Sequence, residues 1–155
     1  MEKTNEYTST TNSEEQMSIQ IRAMQISDYE RALELWQNTA GMGLSSADES
    51  HEIALFLQRN QGLCFVALED DHLVGTILCG EDGRRGYLYH LAVQGDKRKR
   101  GIGKLLVEQS LHALRQKGIQ KCHLFVIADN ASGIAFWEHL GWEMRDDIEI
   151  MSIDL

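Results

Sequence analysis

The spacing of hydrophobic and polar positions changes several times along the chain, and each change marks an element. Residues 18–24, SIQIRAM, alternate apolar and polar, the two-residue repeat of a strand with one face buried. From Tyr29 the repeat lengthens. Tyr29, Ala32, Leu33, Leu35 and Trp36 recur at helical spacing through DYERALELWQNTA, and Ser27 with Glu30 stands where a capping box would start that helix. GMGLSSADES breaks the pattern, after which Ser46 and Glu49 offer caps for a second helix through HEIALFLQRN. Three strand-like runs follow, LCFVALE, HLVGTILCG and GYLYHLAV, and the short breaks between them, at Asp70-Asp71 and EDGRRG, predict a meander of antiparallel hairpins.

The helical period then returns. Ile102, Leu105, Leu106, Leu111 and Leu114 form one stripe over residues 101–116, and Gly118 after Lys117 supplies a left-handed stop. KCHLFVIA is nearly continuous in apolar character, as a strand covered on both faces would be. After Asn130 a short helix runs to Leu140 and halts at Gly141, and WEMRDDIEIMSIDL is expected to finish the chain as two short strands. The pattern predicts an α/β (mixed α+β) fold: a central mixed, mostly antiparallel sheet of about seven strands with about four helices on its faces.

Composition narrows this picture. At 155 residues with no proline, the chain has the size of one domain and no rigid linker to divide it, so residues 18–155 are expected to form a single unit. Residues 1–17, MEKTNEYTSTTNSEEQM, lack the basic and apolar regions of a secretory signal and are expected to be a disordered polar leader. With 43% apolar and 25% charged residues and no long apolar run, the expectation is a cytoplasmic protein with no membrane partner. The net charge of −9 argues against a nucleic-acid partner, because that affinity comes largely from cations meeting phosphates. Cys64, Cys79 and Cys122 are far apart in sequence, include no CxxC pair and read as reduced core residues. No metal is expected: the HExx string at His51-Glu52 ends in Leu55 where a zinc site needs His.

Against that acidic background KRKRGIGKLLV, residues 97–107, concentrates cations at the start of a helix. A helix opening at Gly101 points free N–H groups and the positive end of its dipole toward what precedes it, and Lys97, Arg98, Lys99, Arg100 and Lys104 add charge at the same place. Gly101 and Gly103 leave room for pyrophosphate oxygens to reach the amides. The dinucleotide fingerprint fails at Leu106, and the P-loop fails at Arg98 and Leu105.

The run Arg98-Lys99-Arg100-Gly101-Ile102-Gly103 instead resembles the acetyl-coenzyme A signature Q/R-x-x-G-x-G/A of the GNAT (Gcn5-related N-acetyltransferase) superfamily. Its context matches too: YLYHLAV lies upstream where the family has its fourth strand, and NASGIAFWEHLGW follows the family pattern N-x-x-A-x-x-F-Y-x-x-L-G-F at Asn130, Phe136, Leu140 and Gly141. The resemblance covers about residues 19–155.

It implies a GNAT-like sheet and an acetyl-coenzyme A dependent N-acetyltransferase. Amides from Arg98 through Lys99, Arg100, Gly101, Ile102 and Gly103 to Lys104 would hold the pyrophosphate, and the backbone of Leu91, Ala92 and Val93 would pair with pantetheine where the fourth and fifth strands splay. Asn130 would meet the pantetheine arm, and a backbone N–H near Leu91 or Ala92 would polarise the acetyl carbonyl for direct attack by an amine. Trp137 stands where many members carry the Tyr that protonates the departing thiolate, and an indole N–H cannot give up its proton. Tyr89 and His90 are the leading candidates to take the amine's proton, with Tyr87 and His123 behind them. Strand alternation predicts that Tyr87 and Tyr89 point one way and His90 the other. The acceptor is expected to be a primary amine of a small molecule. Alternatives are a protein N-terminal or lysine acetyltransferase, and a coenzyme A binding regulatory module without turnover. Homodimers are common in the family.

Overall fold

The computed structural model describes residues 19–155, so the expected leader lies outside the described residues. Nine elements follow one another: β1 (Ile19–Ala23), α1 (Tyr29–Gln37), α2 (Ser50–Arg59), β2 (Phe65–Glu69), β3 (His72–Glu81), β4 (Gly86–Val93), α3 (Ile102–Gln116), β5 (Cys122–Leu124) and α4 (Ala131–His139). The strands form one sheet in chain order, with β1 to β4 antiparallel and β5 parallel to β4. Asp70 and Asp71, at φ +50° and +64°, make the tight β2–β3 turn in the conformation that matches strand twist.

Helices cover both faces of the sheet. On one face Trp36 of α1 and Ile53 of α2 pack over Val66, Leu68, Leu78 and Ala92. On the other, Ile102, Leu106, Val107 and Leu114 of α3 pack over Ala67, Val74, Ile77, Cys79 and Leu88. Strands sandwiched this way have no polar side, which is why β2 and β3 are nearly continuous in apolar residues.

Both expected capping boxes are displaced toward the N-terminus. Asp28, not Glu30, closes the first, accepting from the Gln25 N–H at 2.9 Å. Asp48, not Glu49, closes the second, accepting from the Ser45 N–H at 2.9 Å. In each case a short 3₁₀ turn, Ile26–Asp28 or Ser46–Asp48, precedes the α-helix. The shift turns an aspartate inward onto a tertiary partner: Asp28 onto the Arg22 guanidinium at 2.8 Å and Asp48 onto His90. Spacing alone does not register such partners.

Three further expectations are corrected. β5 ends at Leu124 rather than running through KCHLFVIA, because β4 and β5 are in register only from Gly86↔Cys122 to Leu88↔Leu124. The described residues hold five strands, not about seven, and residues 142–155 form none. Ile148, Ile150 and Ile153 in that tail are exposed. Alternation describes where side chains point, whereas a strand also needs a neighbouring edge to accept its hydrogen bonds. Lastly, β4 carries a bulge. Thr76 pairs with Ala92 and Leu78 with Tyr89, so His90 and Leu91 together stand opposite Ile77. His90 takes the extra step with φ +49°. Tyr89 and His90 therefore lie on the same face, Tyr89 against Phe56 of α2 and His90 against Trp36 of α1.

Candidate active site at the split between two strands

The segment from Arg98 to Lys104 is built as a row of unused donors. Among the described residues, none of its backbone N–H groups donates to a carbonyl or side chain; the first helical bond is Leu105 N–H to Gly101 O at 3.0 Å. Gly101 is left-handed at φ +81°, where a side chain would be strained, and Lys99 joins it at φ +65°. Consecutive amides in such a turn, continued by a helix start, form a concave anion site. Gly103 serves packing. A Cβ there would stand 3.3 Å from the Phe136 ring and 3.7 Å from Val93, so glycine lets α3 sit close to α4 and to the end of β4 without pressing on that ring.

The cations divide into two sets. Lys97 and Arg100 are drawn onto Glu69 at 3.4 and 3.1 Å. Desolvation pushes the Glu69 carboxyl upward, but these two partners outweigh it and leave the group below the ordinary carboxylate range. Arg98 donates through Nε to Val93 O at 3.1 Å, tying the loop to β4. Lys104 comes within 4.0 Å of Glu108, and Lys99 forms no ion pair among the described residues. Some of the charge expected to face an anion thus braces the loop, a division invisible before Glu69 was placed beside it.

Where β5 leaves β4, backbone groups of β4 are left without a partner strand. Gln94 N–H donates to Val74 O at 2.8 Å, and antiparallel alternation turns Ala92 toward β3 as well. Leu91 and Val93 consequently face the open side. Ala92 contributes a side chain buried at the α1 face instead. Of the two N–H groups considered for polarising a carbonyl, Leu91 is the one aimed into the split.

His90 sits at the bend of the bulge in a polar network. Its Nε2 lies 2.6 Å from Asp48 Oδ1, and its ring meets Trp36 edge-on at 4.8 Å. Its carbonyl accepts from Thr76 Oγ1 at 2.9 Å, and that hydroxyl accepts from Trp36 Nε1 at 2.9 Å. The left-handed backbone at a non-glycine residue costs about 1–2 kcal/mol, and these bonds hold it in place. Tyr89 lies between Phe56 and Phe125, ring centroids 6.2 and 6.5 Å away. Desolvation, followed by neighbouring Tyr87, pushes its phenol upward from the ordinary value. Tyr87 and His123 are paired across β4 and β5, with rings 5.9 Å apart.

Asn130 caps α4, its Oδ1 accepting from Gly133 N–H at 3.0 Å, and its amide nitrogen lies against Gly41 of the α1–α2 connection. Trp137 meets Phe136 and Trp142 edge-on at 5.1 and 5.2 Å. The structure therefore gathers the Arg98–Lys104 loop, the end of β4 and α4 around one split. Asp48, Thr76 and Trp36 were missed as members of this site. Asp48 lies 42 positions from its partner His90, and no local pattern links them.

The sheet of five strands opens between β4 and β5, and the start of the next helix lines that opening with free backbone N–H groups. A family model, described as acetyltransferase (GNAT) family, matches residues 28–142. An acetyltransferase of Sodalis glossinidius is 32% identical over 133 residues, 86% of this chain and 93% of the relative. One of Pectobacterium atrosepticum is 32% identical over 132 residues, 85% and 93% of the two chains. Among solved structures, the PaiA N-acetyltransferase of Thermoplasma acidophilum in complex with coenzyme A is similar at TM-score 0.75 and 25% identity, covering 85% of this chain and 94% of that one. An aminoglycoside acetyltransferase from an uncultured soil metagenomic sample, in complex with sisomicin, shares the fold at TM-score 0.72 and 19% identity, covering 92% and 99%. The chain belongs to the GNAT family and is an acetyltransferase.

Proposed function

We propose that the acceptor is a primary amine of a small molecule and that acetyl-coenzyme A lies in the β4–β5 split, its pyrophosphate on the amides of Arg98 to Lys104. The observation that carries this reading is the uncommitted row of donors beside a strand whose outer edge is open. Leu91 and Val93 pair with the pantetheine arm, and the free amide nitrogen of Asn130 approaches it from the α4 side.

Catalysis then needs two things from the chain. An alkylamine has an ordinary pKa near that of lysine, about 10.4, and arrives protonated, so a base must take its proton. His90, bent onto the acceptor face by the bulge, is that base, and Tyr89 lines the mouth beside it. The neutral nitrogen attacks the thioester carbon, and Leu91 N–H stabilises the oxygen as it gains charge. The C–S bond breaks, and coenzyme A departs as a thiolate, a tolerable leaving group because thiols have a pKa of about 8.5. Trp137 supplies no proton to it; water does, and takes up in exchange the second proton that the attacking nitrogen sheds as the amide forms. Gly41 packs close to Asn130, so the α1–α2 connection reaches across toward α4. That bounded mouth favours a small amine over an extended peptide.

The test is calorimetry with coenzyme A on the wild-type chain and Gly103→Glu, followed by thiol release across a panel of amines, amino acids and peptides. The expectation is tight binding lost in the variant and transfer to small amines. Binding without transfer to any acceptor would favour the regulatory module, a reading suggested by Trp137; transfer to peptides alone would replace the acceptor class.

A further inference from the structure

Asp48 lies in the acceptor-side connection, is nearly buried, and is held on three sides. Oδ2 accepts from Ser45 N–H at 2.9 Å, its backbone oxygen accepts from the Tyr29 hydroxyl at 2.7 Å, and Oδ1 faces His90 Nε2 at 2.6 Å. Its carboxylate only accepts, so Nε2 of His90 must carry the hydrogen. A neutral imidazole has one N–H; Nδ1 is then a bare lone pair. Nδ1 has no hydrogen-bond partner among the described residues, and it is not among the fully buried polar atoms.

We infer that Asp48 is a positioning residue that locks His90 as the Nε2–H tautomer, so that Nδ1 is the atom receiving the amine's proton. The inference rests on the reading of His90 as the base. As the proton moves from the amine nitrogen to Nδ1, the imidazole becomes an imidazolium and Asp48 stabilises the new charge across the short Nε2–H bond. Trp36 stands edge-on against the ring, on the same face to which the bulge turns His90.

Two variants separate this role from a structural one. In Asp48→Asn the side-chain oxygen keeps the Ser45 N–H, which leaves the NH₂ facing Nε2. An NH₂ donates, so Nε2 must lose its hydrogen and Nδ1 gain it: the tautomer is reversed. Asp48→Ala removes the cap and the lock together, leaving both tautomers. Long-range ¹H–¹⁵N NMR of the uniformly labelled full chain at neutral pH reads the tautomer with no acceptor present. The expected result is Nε2–H in the wild type, Nδ1–H in Asp48→Asn and a mixture in Asp48→Ala. Thermal melting should rank Asp48→Asn above Asp48→Ala. Turnover with the panel's best amine should rank them the other way, with kcat of Asp48→Asn down at least about tenfold of the 10²–10⁴ that a general base contributes, and KM for acetyl-coenzyme A unchanged. A wild-type proton on Nδ1, or an Asp48→Asn spectrum like wild type, overturns the inference. If instead the tautomers behave as stated but His90→Gln retains full kcat, the base assignment fails and the geometry of the pair stands.

Discussion

Replacing Thr76 by Val keeps the shape of the side chain and removes its hydroxyl. Thr76 is fully buried, so no water replaces what is lost. The hydroxyl accepts from Trp36 Nε1 and donates to His90 O, both at 2.9 Å. A buried polar group left unpaired costs about 1–3 kcal/mol. The indole N–H lies on a residue only 1% exposed and should incur most of that range. The His90 carbonyl lies in a partly buried bond and should add about 1 kcal/mol. Because Val fills the same space, no cavity term enters, and the total is about 2–4 kcal/mol. Urea unfolding should show this as a lower midpoint at unchanged slope, and melting should fall by about 4–16 °C for a chain of this size. Thr76→Ser, which keeps the hydroxyl and deletes one methyl, should cost only about 1 kcal/mol. The network also holds the bulge, so Thr76→Val should lower kcat more than Thr76→Ser does. A Thr76→Val chain within about 0.5 kcal/mol of wild type would refute the claim that these two bonds are needed to hold the site.

Other expectations follow from the same reasoning. Gly101→Ala meets no steric obstacle yet forces alanine to φ +81°; it should destabilise by about 1–2 kcal/mol and weaken coenzyme A binding, both readable in one titration with melting. Trp137→Tyr should leave kcat unchanged, because water protonates the thiolate, and a raised kcat would show that a missing acid limits its release. Burial pushes the Asp28 carboxyl upward, but the Arg22 fork, the Gln25 N–H and Arg31 outweigh it and hold the group below its ordinary value. Its contribution to stability is therefore complete above the unfolded pKa of about 3.9 and disappears as pH falls through the lower folded value. Acid titration of wild type against Asp28→Asn should show the two stability curves converging below about pH 4.

Glu69 on β2 neutralises part of the cation cluster, pairing with Lys97 and Arg100, and leaves Arg98, Lys99 and Lys104 beside the free amides of the loop.

The amino-acid sequence by itself determined most of the elements. Helical stripes in α1 to α3, the β2–β3–β4 meander and the glycine spacing at Gly101 and Gly103 are local properties, set by side-chain period and by the backbone freedom of a few residues. The family likeness added the β4–β5 split. Tertiary structure alone decided the rest. Whether Tyr89 and His90 share a face depended on a bulge fixed by pairing with β3, and whether residues 142–155 are strands depended on an edge to pair with. The union of Asp48, Thr76 and Trp36 with His90 required three elements to pack around one ring. Periodicity reports how a segment sees its own axis. Which hydrogen-bonding group waits across a gap is settled only when distant segments meet.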